Sequence, residues 1–237
     1  MVCFNQKHYF SRLNYYKVIN FFKNNSLILV AFIVFVIVSI PVLSIYSKDE
    51  IHIIINKNNN PFFDFFFKYI THLGNGIFVI VVGFVLALIK YRYAIFVIGS
   101  YLFSSLIVQF LKKIIYSDVI RPVKYFQGIY DLHLINGVEM HHAQSFPSGH
   151  TATAFALFFF LAFISKNKLI KIFYFFMALL IAYSRMYLSL HFYIDVYAGA
   201  IIGVVCTLII YIYMQTLQLK WLDLSLLKKT GSGNDKK

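Results

Sequence analysis

Two histidines and an aspartate give this chain the residue types needed for nucleophilic catalysis. His191 and Asp195 lie four residues apart, so on one helical turn the carboxylate can accept a hydrogen bond from one ring nitrogen and leave the other free to attack. His150, from a separate segment, is suited to protonate a leaving oxygen and then to activate water. The plainer alternative is that Arg185 and Asp195 form only a structural ion pair.

Cationic residues elsewhere in the chain match the charge of a phosphate or diphosphate. Arg121 and Arg185 carry planar guanidinium groups, which suit bidentate contact with phosphate oxygens. The pair Lys112-Lys113 offers a further cation. If these residues meet His191, the group transferred is a phosphoryl group.

The stretch Pro147-Ser148-Gly149 predicts a turn that runs into a helix at Thr151. The unpaired backbone N–H groups at such a helix start bind anions, because they point outwards and the helix dipole favours negative charge. Gly149 would allow close approach, and Ser148 would add a hydroxyl donor. The sequence therefore predicts a phosphate site that needs no metal and no cofactor.

A metal site is the alternative for the remaining polar residues of the longest polar stretch, 112–144. His133, His141 and His142 lie there together with Glu139. Adjacent histidines rarely share one metal, and the chain has no HExxH-like helical spacing. We therefore interpret these side chains as substrate-loop or solvated residues.

The composition predicts a membrane protein. The chain of 237 residues is 60% hydrophobic and only 13% charged, far below the roughly 25% charged residues of soluble domains. Its net charge of +13 does not indicate nucleic-acid binding, because the basic residues lie between apolar runs and do not form one solvated face. Cys3 and Cys206 imply no disulfide framework.

The apolar runs predict an all-α, polytopic membrane protein with six transmembrane helices and an interfacial helix before the second span. Residues 48–60 are expected to form a loop, with Asn60-Pro61 as a helix-start signal. Gly199 and Gly203 mark close packing of the sixth span, within the molecule or between two copies. The spans are 27–47, 73–89, 93–111, 151–165, 168–188 and 194–214, and the interfacial helix is 62–72.

This pattern divides the chain into a basic N-terminal segment (1–26), a six-helix membrane domain (27–214) and a basic, partly disordered tail (215–237). The N-terminal segment is either a helix in the headgroup region or a basic flank to the first span. With six spans, most of the 22 basic residues lie on the side of the termini, and most of the 9 acidic residues lie on the other. The positive-inside rule then predicts that both termini are cytoplasmic and that the polar segments meet on the outer side.

These polar segments resemble the signature of the type 2 phosphatidic acid phosphatase superfamily, which includes membrane lipid phosphatases, undecaprenyl diphosphate phosphatases, glucose-6-phosphatase and the vanadium haloperoxidases. The family pattern is Lys, six residues, Arg-Pro; then Pro-Ser-Gly-His; then Ser-Arg, five residues, His, three residues, Asp. Residues 147–150 and 184–195 match its second and third blocks without deviation. The six-span topology also resembles that of the bacterial members, so the likeness covers most of the chain.

The resemblance implies a role for each matched residue. His191 would form a phosphohistidine, Asp195 would orient it, and His150 would serve as general acid and base. The phosphate would be held by residues from all three blocks: Lys113, Arg121, Ser148, Gly149 and Arg185.

The first block departs from the family pattern, because seven residues separate Lys113 from Arg121 where the family usually has six. On a continuous helix one extra residue rotates a side chain by about 100°. We expect Tyr116-Ser117-Asp118 to form a loop that absorbs this insertion. On that basis we predict Lys113, in preference to Lys112, as the phosphate ligand.

The sequence thus predicts a phosphatase of the bacterial inner membrane that acts on a lipid phosphate or diphosphate at the periplasmic face. Undecaprenyl diphosphate, phosphatidylglycerol phosphate, phosphatidic acid and lipid A phosphates all remain open as substrates, as does the choice between monomer and homodimer. Two alternatives are a lipid-to-lipid phosphotransferase and a non-catalytic transporter or scaffold that binds anionic lipid.

Overall fold

The computed structural model describes residues 2–227 and the side chains of residues 16–227. Within this part of the chain every regular element is helical, which confirms the predicted all-α class. The α-helices in chain order are α1 (Val2–Ile45), α2 (Lys48–Lys57), α3 (Pro61–Ile70), α4 (Gly76–Ile89), α5 (Tyr91–Phe110), α6 (Pro122–Tyr125), α7 (Gly149–Ile164), α8 (Lys168–Tyr187) and α9 (Tyr193–Thr216).

The six predicted spans are confirmed only in part. Four stretches of the described chain are helical, long and apolar enough to cross a membrane, namely Tyr16–Ile45, Tyr91–Ile115, α8 and α9. A fifth exists if Pro61–Gly74 and α4, which meet at a bend of 60°, count as one span. Helix α7 has 16 residues. At 1.5 Å per residue it is about 24 Å long, less than the roughly 30 Å of a hydrocarbon core.

Helix α7 is the central helix of the bundle. It is apolar on all sides, and nearly every residue from Thr151 to Phe163 is buried against α5, α8 and α9. A helix that is hydrophobic all round is expected in such an interior position. Its N-terminus carries the Pro-Ser-Gly-His motif, so the best-buried helix positions one part of the candidate site.

The predicted glycine contact of the sixth span lies inside the molecule. A Cβ on Gly199 would stand 2.5 Å from the carbonyl oxygen of Ser148, and a Cβ on Gly203 would collide with the carbonyl of Ala152. Both glycines therefore allow α9 to lie directly against the N-terminal half of α7. This contact brings Asp195, one turn before Gly199, next to the Pro-Ser-Gly-His turn.

The prediction of a loop over residues 48–60 is wrong for most of this stretch, because Lys48–Lys57 form α2. Ser47 caps this helix: its hydroxyl accepts from the N–H of Glu50, and the Glu50 carboxylate accepts from the N–H of Ser47 at 2.8 Å. This reciprocal capping box, Ser-x-x-Glu, is the helix-start signal that the hydropathy pattern hid. The predicted start at Asn60-Pro61 is correct, because Asn60 Oδ1 accepts from Phe63 N–H at 2.9 Å.

The predicted N-terminal segment is helical and continues into the first span as one helix, α1, which fits a basic flank better than a separate headgroup helix. Part of the predicted disordered tail is packed. Asp223 forms an ion pair with Arg92 at 2.9 Å, and Leu222 is buried. Residues 228–237 lie outside the described part of the chain.

Candidate active site

The loop between α8 and α9 presents His191 to the interior of the bundle. The carbonyl of Arg185 accepts hydrogen bonds from the N–H groups of both Leu190 and His191, at 3.0 and 3.1 Å. Ser189 adopts a positive φ of 55°, a left-handed conformation that turns the chain back sharply. The loop is therefore fixed by its own backbone before any side chain contributes.

The predicted contact between His191 and Asp195 is present, but the two residues do not share one helical turn, because His191 precedes α9 and Asp195 lies in its first turn. The distance from His191 Nδ1 to Asp195 Oδ2 is 3.3 Å. The same oxygen accepts from the N–H of Phe192 at 2.9 Å and from the hydroxyl of Ser145 at 2.5 Å. Because a carboxylate only accepts hydrogen bonds, Nδ1 must carry the ring proton, which leaves Nε2 with its lone pair for attack.

The electrostatic surroundings keep the His191 ring unprotonated. Burial, followed by the positive charges of Arg121, Lys112 and Arg185, holds the pKa of His191 well below its ordinary value. A protonated imidazole has no lone pair to attack with, so this depression favours the reactive form at neutral pH.

The Pro-Ser-Gly-His turn docks directly onto this pair. Ser148 N–H donates to the backbone carbonyl of Asp195 at 2.9 Å, and Ser148 Oγ caps α7 by accepting from the N–H of Thr151 at 3.4 Å and from its hydroxyl at 2.9 Å. His150 follows in the first turn of α7 and interacts electrostatically with His191. The two histidines from distant segments are thus brought to one site.

Gly149 lies at the first position of α7. A Cβ there would meet no protein atom closer than Val108 Cγ1 at 3.7 Å, an ordinary contact. The fold itself therefore tolerates a side chain at this position. A bare backbone at the helix start suits the close approach of an anion.

Arg185 is buried beside the nucleophile and incompletely paired. One of its terminal nitrogens donates to Thr71 Oγ1 at 2.8 Å. Its Nε is buried and has no hydrogen-bond partner among the described residues. An unpaired buried donor of a charged group is costly, so a phosphate oxygen is a fitting partner for it.

Arg121 ties the loop before α7 to the loop that carries the nucleophile. Its guanidinium donates to the carbonyl oxygens of Ala143 at 3.0 Å, Leu190 at 3.2 Å and Gln144 at 3.5 Å. Burial lowers the pKa of Arg121, although a guanidinium stays charged. With five N–H donors and three of them engaged, it retains donors for a substrate.

The structure does not bring Lys113 to this cluster and places Lys112 there instead. Lys112 is 8% exposed and close enough to lower the pKa of His191, whereas Lys113 is exposed. The predicted loop at 116–118 is present, but the helix before it already widens. Leu111–Ile115 form a π-helical turn, closed by the bond from Tyr116 N–H to the Leu111 carbonyl at 2.8 Å. This wider turn, a geometry common at functional sites, alters which lysine faces inwards.

Three buried contacts of the site were not predicted from sequence. Ser145 holds the Asp195 carboxylate, and Thr71 holds Arg185. His52 of α2 lies 3.1 Å from Ser189 Oγ through its Nε2 and stacks on Phe126. Only their burial reveals them, because isolated Ser, Thr and His residues carry no spacing signal.

His52 is a neutral side chain, since burial lowers its pKa to about 4. Its neighbour Asn56 also donates to Ser189 Oγ, at 3.3 Å, and to the carbonyl of His133 at 3.0 Å. His133 in turn pairs with Asp64 at 2.8 Å. Helices α2 and α3 therefore support the nucleophile loop from outside. Among the described residues, no three groups of His, Cys, Asp and Glu are placed to hold a metal ion.

Comparison with known proteins places this geometry in a family. The family model described as the PAP2 superfamily matches residues 93–219, more than half of the chain and all of the predicted site residues. The chain belongs to the PAP2 superfamily. The family predicted from the three motifs is thereby confirmed, and with it the prediction of a membrane phosphatase.

Two solved PAP2 structures resemble the fold. LpxE of Aquifex aeolicus is 30% identical, with a TM-score of 0.61, and the alignment covers 68% of this chain and 93% of that one. The transmembrane PAP2 type phosphatidylglycerolphosphate phosphatase from Bacillus subtilis is 24% identical, with a TM-score of 0.59, covering 83% and 98%. The comparison with curated protein sequences gave no match.

Proposed function

We propose that this PAP2 protein removes the terminal phosphate of a membrane lipid phosphate through a phosphohistidine on His191. The observation that carries the proposal is the pairing of a neutral nucleophile with an unsatisfied cation. Asp195 holds His191 Nδ1, while the Nε of Arg185 is buried nearby without a partner. A phosphate bound between them would complete both sets of interactions.

In the first step, His191 Nε2 attacks phosphorus as the bond from phosphorus to the lipid oxygen breaks. His150 gives its proton to that oxygen, so that a neutral lipid alcohol or a shortened lipid phosphate leaves. In the second step, His150 takes a proton from water, whose oxygen attacks phosphorus and releases inorganic phosphate. The His191 ring returns to its starting state, and His150 is protonated again for the next cycle.

The phosphate oxygens are bound by cations and helix-start N–H groups. We assign this role to Lys112, Arg121 and Arg185, together with the N–H of Gly149 and the hydroxyl of Ser148 at the N-terminus of α7, since the N–H of Ser148 already donates to the Asp195 carbonyl. Lys112 replaces the predicted Lys113 because it is the lysine buried towards the site. As negative charge shifts between phosphorus and the leaving oxygen, these fixed donors stabilise the transition state without rearrangement.

We infer a lipid substrate from the position of the site at the ends of apolar helices. The similar structures support this, since one of them is a phosphatidylglycerolphosphate phosphatase. The proposal includes the six-span topology with cytoplasmic termini, in which α4 and α7 cross as short helices. The site then faces the periplasm of a bacterial inner membrane.

The experiment is phosphate release by the purified protein from a panel of phosphatidylglycerol phosphate, phosphatidic acid, undecaprenyl diphosphate and lipid A phosphates. We expect release from at least one lipid, and loss of release in the His191→Ala variant. Transfer of the terminal phosphate to a second lipid, in place of its release, would indicate a phosphotransferase. Binding without turnover, or activity that survives His191→Ala, would contradict the proposal.

A further inference from the structure

A second cavity lies at the opposite end of the bundle from the candidate active site. It has a volume of about 1040 Å³ and lies between residues 17–30 of α1, the connection from α7 to α8, and the end of α9. Helix α7 separates the two sites along its whole length, because it begins at the active site and ends at this cavity with Phe163 and Ile164.

The charge of this cavity is one-sided. Its lining includes five lysines and no aspartate or glutamate, and none of these lysines forms an ion pair with a described residue. Cations collected without counter-charges repel one another, so the cavity favours an anionic occupant. The lysines are Lys17, Lys23, Lys166, Lys168 and Lys171.

Lys171 is the strongest sign that this is a binding site and more than a solvated basic surface. It is only 3% exposed. Its ammonium donates to the carbonyl of Asn24 at 2.9 Å and to Asn25 Oδ1, and Asn25 is itself held by the Phe21 carbonyl at 2.9 Å. Two of three donors are thus used by neutral groups, which leaves a buried charge uncompensated and one donor for a ligand.

The same cavity has an apolar floor and an apolar exit. Phe21, Phe163 and Tyr211 pack together, with ring centroids 4.9 to 5.3 Å apart. From the rim, the exposed side chains of Leu27 and Val30 continue along α1 into its apolar surface. A ligand that fits both parts carries an anionic head and a hydrocarbon chain.

We propose that this cavity binds the headgroup phosphate of an anionic phospholipid, whose acyl chains lie along α1 beside Leu27 and Val30. Basic pockets between transmembrane helices suit such headgroups. No histidine among the residues with described side chains lines the cavity, so we expect the bound lipid not to be a substrate there. It would instead join α1 to α7, α8 and α9 at the end of the bundle that lies away from the catalysis.

The test is lipid binding to the purified full-length protein in neutral detergent, followed by native mass spectrometry. The probes are phosphatidylglycerol, which is a phosphodiester without a terminal phosphate, phosphatidylcholine as the neutral lipid, and inorganic phosphate alone. Lys166→Gln with Lys168→Gln removes two exposed charges at the cavity. Lys57→Gln with Lys124→Gln removes two exposed charges at the other end and is the matched control.

We expect phosphatidylglycerol to bind wild type and the control pair equally, and the cavity pair about tenfold more weakly. Lys23→Gln, on a different helix, should weaken binding in the same direction. Binding should be unchanged in His191→Ala, since the active site is not involved. Equal weakening in both pairs would assign the effect to general surface charge and overturn the proposal. Full displacement of the lipid by millimolar inorganic phosphate would also overturn it, because free phosphate would then be the ligand.

Discussion

At the residue scale, the cations proposed to bind the phosphate also affect the protonation of His191. Burial lowers the pKa of His191 most, and the positive charges of Arg121, Lys112 and Arg185 lower it further. In the proposed mechanism the same three cations hold the phosphate of the substrate. They therefore also favour the unprotonated form of the nucleophile.

This arrangement predicts the acid limb of the pH profile. A group with a lowered pKa loses its proton at lower pH, so His191 stays neutral and reactive below its ordinary value of about 6.5. We expect kcat/KM to fall only when the pH drops clearly below that value. Lys112→Gln removes one cation and should move the limb upwards, whereas Lys113→Gln should leave it in place. An acid limb at or above 6.5 in the wild type would contradict the assignment.

The two lysines also make separate predictions for the rate. Lys112→Ala removes a buried charge beside the phosphate, so we expect kcat/KM to fall by about 10²- to 10³-fold, as for other lost transition-state donors. Lys113→Ala alters an exposed side chain and should stay within about threefold. Steady-state kinetics on one lipid phosphate measures both. A larger fall of kcat/KM in Lys113→Ala than in Lys112→Ala would instead support Lys113, which the sequence spacing favoured, as the phosphate ligand.

At the element scale, contacts between residues close in sequence were easier to predict than the register between helices. His191 and Asp195 meet because only three residues separate them, although His191 lies in the loop before α9 and only Asp195 lies in its first turn. Lys113 was preferred to Lys112 because the π-helical turn at Leu111–Ile115 leaves no mark in hydropathy. Ser145 and Thr71 reach the site through contacts between segments distant in sequence, which no local pattern encodes.

The contact between α7 and α9 gives a prediction with a control in the same protein. Gly199→Ala would place a Cβ against the Ser148 carbonyl, push α9 away from the phosphate turn, and lower both thermal stability and kcat. Gly99→Ala in α5 meets nothing within 4 Å and should be neutral or slightly stabilising, since alanine favours a helix. Thermal unfolding and steady-state kinetics of both variants test this prediction. Similar losses of stability and kcat in Gly199→Ala and Gly99→Ala would show that the contact between α7 and α9 has no special role.

At the scale of the whole molecule, composition and periodicity predicted the class and most of the apolar helices. The number of spans was harder to predict, because α4 and α7 have only 14 and 16 residues, fewer than the roughly 20 that a straight crossing needs. Helix α2 was missed since its capping box sits in a polar stretch. The family, by contrast, followed from the motifs alone because they combine rare residue types at fixed spacing.

The proposed topology predicts opposite accessibility for two exposed lysines. Lys124 lies in the short helix α6, near the active site, and Lys166 lies between α7 and α8 at the other end of the bundle. In a variant without Cys3, Lys124→Cys should react with a membrane-impermeant maleimide in intact cells, and Lys166→Cys only after permeabilisation. The native Cys206 is buried and serves as the unreactive background. Labelling of both positions from outside would contradict the single crossing, by α7, that the proposed topology places between them.

The most direct test of the account is to locate the phosphoryl group on the enzyme. The purified protein is mixed with a lipid carrying a labelled terminal phosphate and quenched in alkali, where phosphohistidine survives. We predict a label that is acid-labile, maps to the peptide containing His191, and is absent in His191→Ala. A label on another residue, or turnover that persists in His191→Ala, would contradict the mechanism.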